Sequence, residues 1–88
     1  MNHRVLLHPK AVEYLRKAED KLRTSMKAAL KELEDDPEKG QHLQHSTYYR
    51  LRVGDYRAIY TIDNREQCVI VLFIGHRSEV YDDFSRLV

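Results

Sequence analysis

Residues 48–62 of the chain read YYRLRVGDYRAIYTI, and the arrangement of the remaining elements follows from this stretch. Before Gly54, apolar and polar side chains alternate with the two-residue period of a β-strand that has one covered face. Gly54 and Asp55 form a dipeptide typical of a two-residue hairpin turn, and glycine at the first turn position favours type II′. Counting away from this turn places Arg52 directly opposite Arg57. The stretch therefore predicts an antiparallel hairpin whose register is set by its turn.

Two further strands are predicted on either side of this hairpin. The polar residues 63–66 lead into CVIVLFI at residues 68–74, an uninterrupted apolar run rich in β-branched side chains and therefore typical of a central strand. Near the start of the chain, RVLL at residues 4–7 is a short strand candidate. This strand ends at His8 and Pro9, because the residue before a proline prefers extended backbone and proline suits the first turn of a helix. The hairpin and the central strand together form a three-stranded meander.

The apolar residues between positions 11 and 33 recur at the period of an α-helix. They keep to one face at about 100° per residue, and no glycine or proline interrupts them before Pro37 and Gly40 end the helical half. Periodicity alone allows either a single helix of about 26 residues or an antiparallel helical hairpin broken between Glu19 and Leu22, where Asp20 is the candidate N-cap. The apolar stripe consists of Ala11, Tyr14, Leu15, Ala18, Leu22, Met26, Ala29, Leu30 and Leu33.

The last segment, residues 78–88, carries apolar side chains at helical spacing behind Ser78, which predicts a short C-terminal helix. The predicted order of elements is β-αα-βββ-α. This is an α+β fold in which a small, antiparallel-rich sheet carries a helical hairpin on one face. With 88 residues, 42% of them hydrophobic and 33% charged, the chain is long enough for one domain, residues 1–88, and no more.

Three features of the sequence bear on the compartment. No run of 18 apolar residues is present to span a bilayer. The opening residues MNHRVLLHPK lack the apolar core of a secretory signal, and the single cysteine, Cys68, cannot form an internal disulfide. We therefore expect a cytoplasmic protein with no membrane partner.

Positive charge is concentrated in the predicted hairpin. Residues 40–62 carry Arg50, Arg52 and Arg57 against Asp55 alone, although the whole chain has a formal net charge of only +1. Arg50 lies one diagonal step from the Arg52–Arg57 pair on the same face, and like charges directly opposite on a sheet are unfavourable. Because guanidinium groups bind phosphate as planar forks of donors, the cluster predicts a phosphodiester site. The alternative is an ordinary strand face whose charges are solvated or paired with Asp55.

Two motifs in the chain resemble a known family. They are YRLRVGDYRAIY at residues 49–60 and IGHRSEVY at residues 74–81, and over nearly its whole length the chain resembles the RelE branch of the RelE/ParE toxin superfamily. The resemblance implies a helical hairpin, and a small bacterial or archaeal toxin that enters the ribosomal A site and cleaves the mRNA there until a cognate antitoxin silences it. The matching positions are Arg50 and Arg52 for the paired basic strand residues, Arg57 for the arginine after the turn, Arg77 for the basic residue after the last strand, and Tyr81 for the late tyrosine.

RNA carries its own nucleophile, so the implied reaction requires no metal and no small-molecule cofactor. Attack of the ribose 2′-OH on the adjacent phosphate gives a 2′,3′-cyclic phosphate and a free 5′-OH, provided that the developing negative charge is stabilised. We expect Arg57 and Arg77 to supply this charge stabilisation, while Arg50 and Arg52 orient the RNA backbone.

The sequence leaves open which group moves the proton. The best-known relatives carry lysines at the paired strand positions, whereas this chain has arginines, and a guanidinium with a pKa above about 12 is a poor proton carrier. Tyr81 and His76 are the remaining candidates for general base and acid. Two other functions also stay open at this point: a ParE-like inhibitor of DNA gyrase, and an inactive binding module that keeps the toxin fold.

Overall fold

Residues 3–80 are the part of the chain that the computed structural model describes. Within them the elements follow in the order β1 (Arg4–Leu7), α1 (Pro9–Lys17), α2 (Asp20–Glu32), β2 (Gln41–His42), β3 (Tyr48–Val53), β4 (Tyr56–Asp63) and β5 (Cys68–His76). These strands form one sheet in the order β1-β5-β4-β3-β2, in which β1 runs parallel to β5 and the other pairs are antiparallel. The predicted α+β fold is confirmed. The predicted C-terminal helix falls at residues 78–88, of which 81–88 lie outside the described residues.

The helical half is a hairpin, which confirms the second of the two alternatives. α1 begins at Pro9, and the side chain of His8 caps it by accepting a hydrogen bond from the backbone N–H of Lys10 at 3.1 Å. Ala18 then leaves the helical conformation with φ −77° and ψ 159°. Asp20 was expected as the N-cap of α2, but it is the first residue of that helix.

Arg23 explains why the chain breaks where it does. Its guanidinium donates hydrogen bonds to the backbone carbonyl oxygens of Leu15 at 3.1 Å and Ala18 at 2.9 Å, and it also contacts the carboxylate of Asp20. The last carbonyl groups of a helix have no partner within the helix. A side chain from α2 therefore satisfies the end of α1, which holds the two helices together at the break.

The β3–β4 hairpin has the predicted register. Gly54 adopts φ +60°, whereas Asp55 has no positive φ, and this combination fits type II′ and excludes type I′. Arg52 pairs with Arg57, as counted from the turn. The prediction succeeded because a two-residue turn leaves no freedom in which residues face one another.

The two faces of the sheet differ in what covers them. The helix face packs against α1 and α2 and holds the buried core. The opposite face carries Arg50, Arg52 and Arg57, and we call it the arginine face. Both faces of β4 are covered, since residues 57–60 are buried in succession. The buried side chains on the helix face include Ala11, Leu15, Met26, Leu30, Leu33, Leu51, Ala58, Tyr60, Val69, Val71 and Ile74.

The short strand β2 was not predicted, because two polar residues show no period. A tyrosine on β4 holds this part of the chain in place. The hydroxyl of Tyr60 donates to the carbonyl oxygen of Pro37 at 2.7 Å and accepts from the backbone N–H of Gly40 at 3.0 Å. Gly40 packs so tightly that a Cβ there would lie 2.7 Å from both the Arg50 carbonyl oxygen and the Tyr60 hydroxyl. Tyr60 thus ties the loop after α2 to the middle of the sheet.

Removing the Tyr60 hydroxyl should destabilise the fold at neutral pH. Tyr60→Phe removes two hydrogen bonds, to the partly buried carbonyl oxygen of Pro37 and from the partly buried N–H of Gly40, and we expect the free energy of unfolding to fall by about 1–3 kcal/mol. Burial raises the pKa of Tyr60 to about 12, whereas an unfolded tyrosine ionises near 10. As the pH rises, the tyrosine of the unfolded protein therefore loses its proton before that of the folded protein. The stabilisation by the protonated Tyr60 hydroxyl is lost as the pH rises from about 10 to about 12.

Urea unfolding of the wild type and Tyr60→Phe over a series of pH values measures both effects. The stability gap between the two proteins should narrow in the alkaline range. Tyr49→Phe is the matched control, because the ring of Tyr49 stacks on that of Tyr60 at 5.3 Å and its hydroxyl bonds to none of residues 3–80. Equal losses in the two variants would contradict the role assigned to the Tyr60 hydroxyl.

Candidate functional site

The arginine face ends in a shallow depression beside β2. The depression has a volume of about 350 Å³. The guanidinium of Arg50 donates a hydrogen bond to the side-chain oxygen of Gln41, which holds Arg50 toward this end of the sheet. Arg52 is exposed, and its side chain forms no hydrogen bond or ion pair with residues 3–80. The residues that line the depression are Lys39, Gly40, Gln41, Arg50, Leu51 and Arg52.

Arg57 differs from the other two arginines because it is buried, with 7% of its surface exposed. Its Nη1 atom donates to the backbone carbonyl oxygens of Gly54 at 2.8 Å and Tyr56 at 2.9 Å. Within residues 3–80 no carboxylate forms an ion pair with it. A buried cation held by carbonyl dipoles keeps its full charge for a ligand, and it needs little reorganisation when that ligand arrives.

Strand alternation places Arg57 on the face opposite the core, yet its side chain is buried. The neighbouring strand and the chain that follows it bear on this burial. Gly75 lies opposite Arg57 on the neighbouring strand β5. Val80 packs onto Gly75, since a Cβ at that glycine would lie 3.5 Å from the Cβ of Val80. Val80 itself is 1% exposed. The chain that follows β5 therefore returns over the arginine face next to Arg57.

Arg77 is placed at the same end of the sheet. Its backbone N–H donates to the carbonyl oxygen of Asp55 at 2.9 Å, so it follows β5 directly beside the hairpin turn. Its side chain is exposed and forms no hydrogen bond or ion pair with the part of the chain that the structure describes. Arg57 and Arg77 thus lie on adjacent segments around the turn. Tyr81 is the next residue after Val80 and lies outside the described residues.

His76 lies on the other side of the sheet. It pairs with Tyr56, whose ring packs against the core on the helix face, and the centroids of the two rings are 5.4 Å apart in an edge-on arrangement. Its Nδ1 atom lies 2.8 Å from the hydroxyl oxygen of Ser78. The structure therefore does not bring the imidazole of His76 together with the guanidinium groups of the arginine face.

A larger groove lies on the helix face, between the helical hairpin and the β3–β4 turn. Its volume is about 910 Å³. Positive and negative side chains balance along its wall, whereas the smaller depression on the arginine face has cations only. A polyanion is therefore better matched by the arginine face. The charged residues of the groove are Lys10, Lys17, Lys21, Glu13, Glu19 and Asp55.

Other chemistry has little support in residues 3–80. They contain no group of three or more His, Cys, Asp and Glu side chains that could hold a metal ion. Cys68 is buried on β5. The ring of His42 binds the backbone carbonyl of Ser46 at 2.6 Å and packs against Tyr49, which is a structural role. None of the helices described here is long and apolar enough to cross a membrane.

Comparison with known proteins agrees with this arrangement. The family model for the ParE toxin of the type II toxin-antitoxin system parDE matches residues 5–81. No curated protein sequence matches the chain. A solved structure of an archaeal RelE-RelB complex from Pyrococcus horikoshii OT3 is 26% identical, with a TM-score of 0.76, over 90% of this chain and 99% of that chain. A mutant of E. coli toxin RelE in the free state, in which two arginines are replaced by alanine, is 25% identical over 100% of both chains, with a TM-score of 0.79.

The family match over residues 5–81 identifies the chain as a toxin of a type II toxin-antitoxin system, and its two-helix, five-stranded fold agrees with this. The chain belongs to the ParE toxin family, within the RelE/ParE superfamily that its motifs resemble.

The burial of Arg57 predicts a contrast in stability between the two paired arginines. Arg57→Ala removes the packing of a buried side chain and two hydrogen bonds to carbonyl groups, so we expect the free energy of unfolding to fall by about 1–3 kcal/mol. Arg52→Ala removes an exposed side chain and should change it by less than about 0.5 kcal/mol. Urea unfolding of the two variants measures the contrast. Equal values would mean that Arg57 is an ordinary surface residue.

Proposed function

We propose that this toxin is a ribosome-dependent endoribonuclease that cleaves mRNA in the A site without a metal ion. The observation that carries the proposal is the buried guanidinium of Arg57, which two backbone carbonyl groups hold at the end of a face that also carries Arg50 and Arg52. A cation in a fixed position and a low-dielectric setting is what the charge of a phosphoryl transition state requires. The similarity to RelE toxins supports the same assignment.

The reaction uses the substrate's own nucleophile. The ribose 2′-oxygen loses its proton and attacks the neighbouring phosphorus, and the bond from phosphorus to the 5′-oxygen of the next nucleotide breaks. The leaving 5′-oxygen takes up a proton, so the products are a 2′,3′-cyclic phosphate and an RNA fragment with a free 5′-OH. Arg57 and Arg77 stabilise the charge that develops on the phosphate, and Arg50 and Arg52 hold the adjacent backbone in line. The depression beside Arg50 offers space for one of the flanking phosphates.

Tyr81 is our choice for the group that moves the proton. The ring of His76 lies on the helix face, away from Arg57, whereas Val80 packs beside Arg57 and leads directly to Tyr81. Nearby positive charge favours the phenolate form of a tyrosine, and the phenolate is the form that can accept a proton. This role for Tyr81 also follows from its match to the late tyrosine of the RelE motif.

The partners of the toxin follow from the same proposal. The relative from Pyrococcus horikoshii was solved as a RelE-RelB complex, and a cognate antitoxin would bind and silence this chain in the same general way. The ribosome and its bound mRNA are the targets, which places the toxin in the cytoplasm. Neither a membrane nor a small-molecule cofactor takes part.

Inhibition of DNA gyrase is the second candidate function. It is favoured by one observation, namely that the matching family model is the one for ParE toxins. An inactive module that keeps only antitoxin binding is the third. The arginine face distinguishes the first candidate from both, because a fixed cation beside exposed arginines suits chemistry on a phosphodiester.

Cleavage should depend on ribosomes. The site is shallow and has too few contacts to order a free RNA strand, so we expect a defined mRNA to be cut efficiently in translating ribosomes and slowly, or not at all, when naked. The new ends should be a 2′,3′-cyclic phosphate and a 5′-OH, both with and without a metal chelator. Mapping of the cleaved ends by primer extension and end-specific ligation measures this.

Two results would overturn the proposal. Efficient cutting of naked RNA would remove the ribosome requirement. Intact mRNA together with inhibited gyrase supercoiling would assign the toxin to the ParE-like function. Intact mRNA together with active gyrase would favour the third candidate, an inactive module that keeps only antitoxin binding.

Arg57 and Arg52 should affect cleavage differently. Arg57→Ala removes a donor that acts on the transition state, and we expect the single-turnover rate at saturating ribosomes to fall by about 100-fold or more. Arg52→Ala removes a contact to the RNA backbone and should mainly weaken binding. Both variants are assayed at a temperature where unfolding curves show them folded. Equal rates for the wild type and Arg57→Ala would mean that the arginine face has no catalytic role.

A further inference from the structure

The imidazole of His76 forms two contacts with a single residue two positions further along the chain. The backbone N–H of Ser78 donates to Nδ1 of His76 at 3.2 Å, and the hydroxyl oxygen of Ser78 lies 2.8 Å from the same atom. A ring nitrogen carries either a hydrogen or an accepting lone pair, and a backbone N–H can only donate. Nδ1 is therefore unprotonated in this arrangement, and the neutral ring carries its hydrogen on Nε2.

These contacts close a tight turn over residues 76–79. The backbone N–H of Glu79 donates to the carbonyl oxygen of His76 at 2.8 Å, so both the main chain and the side chain of His76 hold the turn. Arg77 lies inside it, with its own N–H bonded to Asp55. Val80 leaves the turn and packs onto Gly75, next to Arg57. The turn therefore sets where Arg77 and Val80 lie.

A second histidine of the chain is used in the same way. Nδ1 of His8 accepts from the backbone N–H of Lys10, again two residues further on, at 3.1 Å, and so caps the start of α1. In both places Nδ1 of the imidazole acts as the hydrogen-bond acceptor that a backbone carbonyl oxygen often provides in a turn. Each of these turns follows a strand. This use of the ring needs Nδ1 as an acceptor and requires no proton transfer.

We propose that His76 is a positioning residue, whose Nδ1 atom holds the 76–79 turn and thereby places Arg77 beside the β3–β4 turn and Val80 at the arginine face. The expected effect of His76 on the cleavage rate rests on the proposed ribonuclease function. The positioning role differs from a proton-carrying role, because the imidazole faces Tyr56 on the helix face while its effect is exerted on the opposite face.

Three substitutions separate the positioning role from a proton-carrying role. The side-chain oxygen of asparagine accepts from an N–H two residues further on, as in an Asx turn, but an amide cannot act as a base. We therefore expect His76→Asn to keep the single-turnover cleavage rate within about threefold of the wild type. His76→Ala has no acceptor, and the side chain in His76→Gln is one carbon longer than that of asparagine. Both variants should lose about tenfold or more in rate through misplacement of Arg77. Ribosome affinity should stay within a few-fold in all three.

Two patterns of rates would overturn the inference. Equal large losses in His76→Asn, His76→Gln and His76→Ala would assign the proton to His76. Wild-type rates in all three would mean that the turn does not depend on the imidazole.

Nuclear magnetic resonance tests the turn without any cleavage assay. Long-range proton–nitrogen correlations at mildly alkaline pH should show His76 as the tautomer with hydrogen on Nε2. Exchange of the Ser78 amide hydrogen should be slow in the wild type and in His76→Asn, and faster in His76→Ala. The opposite tautomer, or equal exchange in all proteins, would overturn the inference even if mRNA is cleaved. If the wild type fails to cleave mRNA, the proposed function falls, whereas the turn is still judged by these signals.

Discussion

The two-residue turn at Gly54 and Asp55 sets the register on which the rest of the sheet depends. Because side chains alternate between the faces of a strand, a slip of one residue would move the core residues of β3 to the arginine face and the arginines into the core. Of the two turn residues, only Gly54 has a positive φ, which is the geometry of a type II′ turn. This two-residue turn fixes the register of the hairpin and so prevents the slip. The pairing of Arg52 with Arg57, and hence the electrostatics of the candidate site, is a direct result of this local geometry.

A bulge on β5 changes the face of the sheet on which the residues after it lie. Tyr60 pairs with Val71 but Ile59 pairs with Phe73, so Leu72 is an extra residue in β5. Beyond a bulge, the residues that would have faced one way face the other. If Leu72 kept the regular alternation that starts from Val71, His76 would lie on the arginine face. The bulge is therefore the reason why a histidine that is close to Arg77 in sequence lies across the sheet from Arg57.

The parts of the fold that depend on neighbouring residues were predictable, and those that depend on distant ones were not. Residues 48–62 contain both strands and the turn of the hairpin, so their pairing could be counted from the sequence. Gln41 and His42 are too few to show a period, and the parallel pairing of β1 with β5 is a choice among distant partners. For the candidate site, the alternation placed Arg52 and Arg57 opposite one another. It did not predict that Arg57 is buried, or that Val80 packs from beyond β5 onto Gly75, the strand neighbour of Arg57.

The pairing of β1 with β5 also bears on how the protein is made. Arg4 lies opposite Cys68, so the first strand of the sheet is completed by the last one described. Contacts between residues far apart in sequence form slowly, since a long loop must close first, whereas the β3–β4 hairpin needs only its own turn. During synthesis the backbone groups of β1 have no strand partner until the segment that forms β5 has left the ribosome. The sheet that carries the arginines is therefore complete only after β5 has been translated.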